Sequence, residues 1–564
     1  MYLEKIVNFT KTKSLLMRKF YLSIVFLSNA LLVFGQQVAW QKDFPISSQD
    51  FLSGVTITLD RQYLISGSTI STFGDENPSY NFHLIKLNQQ GRPVWEKYYG
   101  GDQHDYLSTT IATQEGGFLI AGASYSSFGK GKTMQNIGGA DAWVIKLSEN
   151  GEEEWQASVG TPYNEEVSSA IQTTDLSYFV GGNVELQDKG FGSKDVWVLK
   201  LTPKGAIVSQ TVLGGIGLDE IEQMIPTKDG GCLVAVYSRS GDCTGLQKEI
   251  KSNYEHFINA ELGQKDKNNS KETAADFFKI PTLLYAKTTE NYGEGDYWVV
   301  KLNKAGEVEW QKSFGGKEDD RVKNIVLTDN GYLIAGESRS DNTGNKTTKI
   351  KEGTDLWVVA LDSYGDEQWQ KSFSFGKRDV SMSLNALWNA EHTKVKGFLL
   401  GGYTQAEEKA DSKAETFWML YLDDKGQEVW HKYISGTSKR SQERLKQALF
   451  STEGAYILAG TSAEELGKEN WKIVKLEDTQ IKELIEKQDL KVYPNPVGDY
   501  CYVDIGLDFK EAEISIYDMS GKQIQKIKTI NSIHKLDTHA LPQGVYLLNV
   551  KTENNNLNTK MIKL

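Results

Sequence analysis

Cysteine, histidine and proline are all scarce in this chain, and each shortage closes off a class of protein. Three cysteines among 564 residues cannot build a disulfide framework. Cys232 and Cys243 are near enough in sequence to pair in an oxidising compartment, Cys501 lies far from both, and three unrelated thiols are an equally good reading. Seven histidines are scattered without metal-ligand spacing, so no metal centre is expected. Ten prolines are too few for a proline-rich, low-complexity chain. An excess of basic charge is missing too: 63 Lys and Arg stand against 75 Asp and Glu, a net charge of -12. That is the wrong sign for displacing counterions from nucleic acid, which is therefore not an expected partner. After the first 35 residues no apolar run is long enough to span a bilayer.

What the chain has in quantity is glycine, 52 residues, with 13 tryptophans and 26 tyrosines. Turns and aromatic-rich strands follow from that mixture, not a helical bundle. The first segment is different. Arg18 and Lys19 precede an apolar run from Phe20 to Phe34. A basic flank, an apolar stretch of about 15 residues and a small residue at the cut describe a secretory signal peptide over 1–35. Cleavage is expected between Gly35 and Gln36. No cysteine follows that cut, so a lipid anchor is not expected.

Internal repetition dominates the rest. DAWVIKLSENGEEEWQASVG at 141–160 returns as DYWVVKLNKAGEVEWQKSFGG at 296–316, as DLWVVALDSYGDEQWQKSF at 355–373 and, more loosely, as TFWMLYLDDKGQEVWHKYI at 416–434. GGFLIAGAS at 116–124 recurs as NGYLIAGES at 330–338 and KGFLLGGYT at 396–404. The tryptophan after each glycine turn marks the period: Trp40, Trp95, Trp155, Trp310, Trp369 and Trp430, with Ser209 in one degenerate copy. The long interval comes from an insertion at about 241–292. Of the 13 tryptophans only Trp388 falls outside two repeated columns.

Each unit reads as four strands, since W-V-I-K-L and E-W-Q-K-S-F alternate with period two. Short glycine-containing links join the last two. Seven such units match a β-propeller. The array opens with a lone tryptophan strand, VAWQKDF at 38–44, and closes with a lone WKIVKL at 471–476. Pairing these complementary halves closes the ring over 36–476 and leaves no exposed strand edge.

Ten residues after each marker stands an acid: Asp50, Asp105, Glu165, Asp219, Asp320 and Asp379, with Arg440 and Glu443 in the seventh copy. A carboxylate column can bind cations. Recurrence in nearly every unit instead favours a turn-capping role, because a functional site breaks symmetry. The neighbouring acids Glu165-Glu166 and Asp319-Asp320 look like a glycosidase pair, but successive strand residues point to opposite faces. The loops between second and third strands, at 123–140, 183–194, 238–295, 339–354 and 404–415, are long and varied, and they emerge on one face, where binding is expected. Within the insertion, Ile250, Tyr254, Phe257, Ile258 and Leu262 recur at helical spacing. That helix is either a lid or partner arm, or a decoration packed on its own blade.

After Leu476 a charged stretch, 477–489, reads as a linker or short helix. LKVYPNPVGDYCYVDIG, EISIYDMSGKQIQKI, ALPQGVYLLNVKT and KMIKL then read as a small β-sandwich over 490–564. These phrases resemble the type A sorting domain of type IX secretion cargo. The resemblance rests on Tyr493 with Pro494, Asn495 and Pro496, on Ile516, Tyr517 and Asp518 with Gly521 and Lys522, on Leu541-Pro542 with Gly544, Val545 and Tyr546, and on the basic-apolar end Lys560–Leu564. It implies recognition by the outer-membrane translocon, export, and removal of the domain by cleavage in the charged linker, with the product released or attached to the cell surface. The repeats are similar to uncharacterised propeller-type repeats of such cargo. LDSYGDEQW also resembles quinoprotein propellers, but the adjacent cysteine pair is missing and no cofactor is expected. The expectation is a secreted or surface-attached, non-enzymatic propeller that binds a polysaccharide or protein through its loop-rich face. A glycan-active enzyme with carboxylates at the ring mouth and a structural cell-envelope protein are the alternatives.

Overall fold

The computed structural model describes residues 37–44, 50–71, 78–128, 131–161, 163–185, 190–249, 251–252, 280–404, 416–435, 442–463 and 469–564. The expected signal segment with its Gly35-Gln36 junction, Arg440, and most of the expected helix in the insertion lie outside them.

Among the described residues the repeat region forms seven sheets, each with four antiparallel strands. Sheet 1 runs Phe51–Ile57, Tyr63–Ser71, Ser79–Leu87 and Pro93–Tyr99. The first strands of sheets 2 to 6 are Asp105–Ala112, Glu165–Gln172, Asp219–Pro226, Asp320–Leu327 and Asp379–Trp388. Sheet 7 takes Gln442–Phe450, Ala455–Ala463 and Glu469–Glu477 from the end of the array and Gln37–Phe44 from its beginning. The N-terminal strand pairs antiparallel with Glu469–Glu477, with Phe44 opposite Trp471. That pairing satisfies two edges that would otherwise be open.

Each first strand carries a register shift near its start, as between Leu52 and Gly54, Leu107 and Thr109, or Val322 and Asn324. An extra residue at one place in every copy raises the local twist in the same way each time. First strands also lie side by side from sheet to sheet. Between sheets 7 and 1 the Gln447 side chain accepts the Val55 N–H at 2.6 Å. The cores lie between neighbouring sheets: Leu64, Phe82 and Leu84 of sheet 1 pack with Leu107, Phe118 and Trp143 of sheet 2. Ile457 and Trp471 of sheet 7 pack in the same manner with Val55 and Tyr63 of sheet 1. The arrangement is propeller-like.

The two tryptophan columns do different work. Trp143, Trp197, Trp298, Trp357, Trp418 and Trp471, on third strands, are fully buried. A buried indole N–H needs an acceptor. In four sheets it donates to the glutamine next to the marker slot: Trp143 to Gln156 at 3.1 Å, Trp197 to Gln210 at 3.0 Å, Trp298 to Gln311 at 3.2 Å and Trp357 to Gln370 at 3.1 Å. Sheet 1 has His83 in that column, paired with Glu96 at 2.8 Å.

The marker tryptophans reach across to the next sheet. Trp40 donates to Gln89 O at 2.9 Å, Trp95 to Glu149 O at 3.2 Å and Trp155 to Pro203 O at 3.2 Å. Each ring lies on the glycine of the next hairpin, where a Cβ would crowd it: at Gly365, φ +80°, the Trp310 ring would be 2.7 Å away. Glycine is required there twice over, by its left-handed backbone and by the close approach. The same lock joins Trp40 to Gly91 and Trp369 to Gly426. Ser209 takes the tryptophan slot beside the hairpin at Gly306.

Two sequence readings need revision in detail. The insertion does not return to its own sheet: Thr282–Ala286 adds to the outer edge of sheet 3 as a fifth strand, parallel to Ile207–Gly214. The edge it covers belongs to the preceding repeat, so the segment fastens two repeats. Residue 477 completes a strand, and Asp478 caps the helix Thr479–Leu484, whose Ile481 is buried. Ile481 packs in one cluster with Trp430, at the junction where sheet 7 has no third-to-fourth-strand hairpin. Cys232, Cys243 and Cys501 are free and buried.

Residues 490–564 form two facing sheets. One is Leu490–Tyr493, Tyr500–Ile505 and Ile533–Asp537; the other is Gln523–Thr529, Ala512–Tyr517, Gly544–Lys551 and Asn556–Lys563. Val492, Cys501, Val503, Ile514, Ile516, Leu536, Leu548 and Met561 fill the space between them.

Candidate functional site

The acid column lies where each first strand begins, on the face carrying the long loops. Asp50, Asp105, Glu165, Asp219, Asp320 and Asp379 are all buried. In sheets 2 to 6 their oxygens cap the entering loops. Asp105 accepts the Gly101 N–H at 2.8 Å and the Ser126 hydroxyl at 2.9 Å. Asp219 accepts Gly215 N–H and Ser240 at 2.8 Å each, and Asp320 accepts Gly316 N–H at 2.7 Å and Ser340 at 2.8 Å. Asp379 accepts the Phe375 N–H at 2.7 Å, and Glu165 the Thr161 hydroxyl. A loop amide that cannot reach water is satisfied this way in every one of those repeats.

Burial raises the acids of sheets 2 to 6. Glu165 is pushed up to about 8 by desolvation, the hydrogen bonds from Thr161 only partly opposing it and Asp141 adding to it. Asp195 and Asp296, which open third strands, are pushed up to about 7 by burial, with Asp219 and Asp320 respectively adding like charge. Three repeats place a buried lysine among such acids. Lys132, Lys287 and Lys346 bond loop oxygens and stand 5.7–5.8 Å from the centres of the Trp143, Trp298 and Trp357 rings.

One residue further along, the side chain turns to the opposite face of the strand, and the repeat loses its uniformity. Phe51, Tyr106, Glu166, Glu220, Arg321 and Val380 occupy that position in sheets 1 to 6. Five of the six, all but Val380, line a cavity of about 780 Å³ to which sheets 1 to 5 and 7 contribute first-strand residues. Phe51 and Tyr106 make an aromatic arc with Tyr80, the rings 5.2–6.2 Å apart. Beyond it lies a charged arc. Lys194 meets Glu166 at 3.1 Å and Glu220 at 3.5 Å. Arg321 bonds Glu220 at 3.1 Å and also Glu222, which Lys323 holds at 3.1 Å. The Arg321 guanidinium lies 4.6 Å from the Tyr237 ring centre. Three carboxylates and three cations thus fix one another, in an arrangement that offers directed donors and acceptors to a ligand.

The acid pairs noted in the sequence do not converge. Glu165 is buried while Glu166 faces the cavity; Asp320 is buried while Asp319 accepts the Tyr237 hydroxyl at 2.5 Å. Among the described residues no group of three or more His, Cys, Asp or Glu side chains is placed to hold a metal ion. Sequence inspection missed Lys194, Glu220, Glu222, Arg321 and Lys323. For the first-strand residues the signal was available as charges at both alternate places of DEIEQ and DRVKN, where sheets 1 to 3 carry Phe51, Tyr106 or Glu166 followed by serine.

The larger cavity, about 1200 Å³, lies at the other end of the first strands, between their hairpins and the C-terminal domain. Apolar side chains such as Leu176, Leu384 and Trp388 face Tyr493 and Pro494 across it. It is a gap between two packed bodies. Arg61 pairs with Asp504, Tyr493 donates to Leu59 O at 3.0 Å, and Glu149 takes both the Tyr502 hydroxyl and the Lys535 ammonium. The C-terminal domain therefore sits on the hairpin face and leaves the loop face open.

Within that domain the motif residues hold its own framework. Asn495, between cis-linked Pro494 and Pro496, donates to Lys560 O at 2.8 Å and accepts the Ile562 N–H at 2.9 Å. Asp518 accepts from Ser520 and Lys522 N–H in the turn where Gly521 has φ +84°. Tyr517 reaches Gln523 at 3.5 Å. Tyr546, two places after Gly544, donates to Pro542 O at 2.8 Å.

Residues 491–564 match the family described as secretion system C-terminal sorting domain. No curated protein matches the chain. Among solved structures, a protein of unknown function from Bacteroides caccae is 14% identical, covering 66% of this chain and 94% of its own, with a TM-score of 0.33. The Pan2 WD40 domain of Neurospora crassa is 8% identical over 78% of this chain and 95% of its own, TM-score 0.41. A DUF4221 family member from Bacteroides vulgatus is 8% identical over 79% and 99%, TM-score 0.30. Scores so low lend no weight to any functional comparison. No helix among the described residues is long and apolar enough to cross a membrane. The sorting domain is decisive: the chain is a cargo of type IX secretion, exported to the cell exterior or the outer cell surface.

Proposed function

We propose that the repeat region is a closed seven-bladed propeller that works outside the cell as a non-enzymatic binding module, taking its ligand at the loop-face mouth of the central channel. One observation carries this reading. The buried acid is kept from sheet 1 to sheet 6, while the adjacent channel-facing position changes from aromatic to acid to arginine to valine. A position serving only the scaffold would repeat with the scaffold. The pairing of Gln37–Phe44 with Glu469–Glu477, and the contact of sheet 7 with sheet 1, support closure. The non-enzymatic part of the proposal is supported by the mouth carboxylates being engaged by Lys194, Arg321 and Lys323. An acid-base pair needs one free carboxylate and one protonated.

The test is a ligand screen of the exported protein against soluble extracellular polysaccharides and surface proteins, reading thermal shift and product release together. A ligand of the native state raises the melting temperature by mass action. A shift without product is the expected result; turnover of the bound ligand would overturn the non-enzymatic reading.

A further inference from the structure

The mouth cavity contains a combination that the scaffold does not need. Phe51, which lines the cavity, is 54% exposed, and Tyr125, outside its lining, is 41% exposed. They belong to one aromatic group: Tyr106 lies 6.2 Å from Phe51 and 6.3 Å from Tyr125, centre to centre. Aromatic faces carry negative potential and attract weakly positive C–H groups as well as cations. Opposite this arc, donors and acceptors are fixed by ion pairing and cannot collapse onto one another when the cavity is empty. A volume of about 780 Å³ is within the usual range of small-ligand sites, roughly 300–1,000 Å³.

Charge narrows the ligand class. Within the charged arc the ions compensate one another, Glu166 by Lys194 and Glu220 and Glu222 by Arg321 and Lys323; the other charged residues lining the cavity, the buried Asp50 and the exposed Lys446, are of opposite sign. A cationic peptide would have to displace Lys194 or Arg321 from their carboxylates. A polyanion would meet Glu166, Glu220 and Glu222 on its way in. A neutral molecule with one C–H-rich face and many hydroxyls matches both walls without breaking an ion pair. Sugar rings have that construction: axial C–H groups on one face, hydroxyls around the rim.

We infer that the mouth cavity is a subsite for a neutral glycan, one pyranose ring stacking on Phe51 and Tyr106 while hydroxyls of the chain bond Glu166, Glu220 and Arg321. The inference rests on the binding reading above and adds to it a ligand class and a position.

Isothermal titration of the full exported protein tests it with defined probes: hexasaccharides of β-1,4-glucan, α-1,4-glucan, β-1,4-mannan and β-1,4-xylan, with hexagalacturonate and hexalysine as anionic and cationic comparators. At least one neutral hexasaccharide is expected to bind, with both charged probes inactive. Phe51→Ala should weaken that binding at least about tenfold, as the loss of a stacking anchor does. Tyr364→Ala, which removes a 73% exposed aromatic from a hairpin turn on the opposite face, should leave it unchanged. Because Tyr106 is half-buried, Tyr106→Phe is the companion variant to Phe51→Ala: it keeps the ring and should keep most of the affinity. Neutral-glycan binding that survives Phe51→Ala overturns the subsite and leaves the binding module standing. Preference for hexalysine or hexagalacturonate overturns the ligand class. Silence toward all six overturns the glycan inference, while the wider screen above still decides the binding reading by its own result.

Discussion

The two faces of the repeat region solve the same problem, the joining of one sheet to the next, by different chemistry. On the hairpin face the joint is apolar: a marker tryptophan of one sheet lies over the hairpin glycine of the next, as Trp310 does over Gly365. On the loop face the joint is polar: a buried acid caps the amides of the entering loop, as Asp219 caps Gly215. Apolar locks tolerate no variation in shape, and the hairpins are correspondingly short and alike. Polar caps hold only the root of a loop, so what lies beyond the root is free to change. The variable position beside the cavity stands one residue from the cap, and the sorting domain docks on the opposite, uniform face. Rigidity and variability are thus separated by tens of atoms along each strand.

The comparison breaks most visibly if the apolar side is emptied. Trp310→Ala removes the ring that lies over Gly365 and packs against the cluster between sheets 4 and 5. A loss of about 3–5 kcal/mol is expected, read by denaturant unfolding. Gly365→Ala attacks the same joint from the other side. It needs a left-handed alanine and pushes a methyl into Trp310, for an expected loss of about 1–3 kcal/mol in the same assay. Equivalent loss in a Ser240→Ala variant, which deletes one of several bonds to Asp219, would erase the distinction between faces.

The polar side is sharpened by pH. Glu165, Asp195 and Asp296 bind protons more tightly folded than unfolded, their values standing at about 8, 7 and 7. Their stabilising effect is complete below the ordinary carboxylate range near pH 4 and is lost as pH rises through 7–8. Melting temperature should therefore rise as pH falls from 9 to 6. Glu165→Gln should be the more stable protein at pH 9, by on the order of 1 kcal/mol, and that advantage should shrink as pH falls toward 6. A melting temperature flat across this window would mean that the buried acids are relieved by another charge.

The smallest effect belongs to the sorting domain. Glu149→Gln removes the charge that Lys535 pairs with and weakens the Tyr502 contact. Part-exposed pairs contribute about 0–1 kcal/mol, so stability should hardly move. Limited proteolysis at 485–489, a largely exposed stretch whose Glu486 is held by Lys396 of the repeat region, should nevertheless speed up as docking loosens.

Much of this was legible beforehand. Period-two alternation and the two tryptophan columns located the four strands of each repeat, and the lone VAWQKDF and WKIVKL strands do pair. Turn chemistry around Asp105 and Asp219 was legible for a similar reason: a cap acts on amides within a few residues, and local sequence contains both partners. The mouth was not. Phe51, Glu220 and Arg321 lie far apart in the chain and meet only because first strands are laid side by side. The insertion misled for the same reason, since the edge that Thr282–Ala286 covers belongs to another repeat.

The sequence by itself determined the repeat, the strands, the caps and the export signal at the C-terminus, all of which depend on residues close together or on recurrence along the chain. Tertiary structure alone decided which side chains share a cavity, that their charges compensate, and which face the sorting domain covers. Those properties depend on distances between segments, and a repeat unit read singly has no distance to its neighbours.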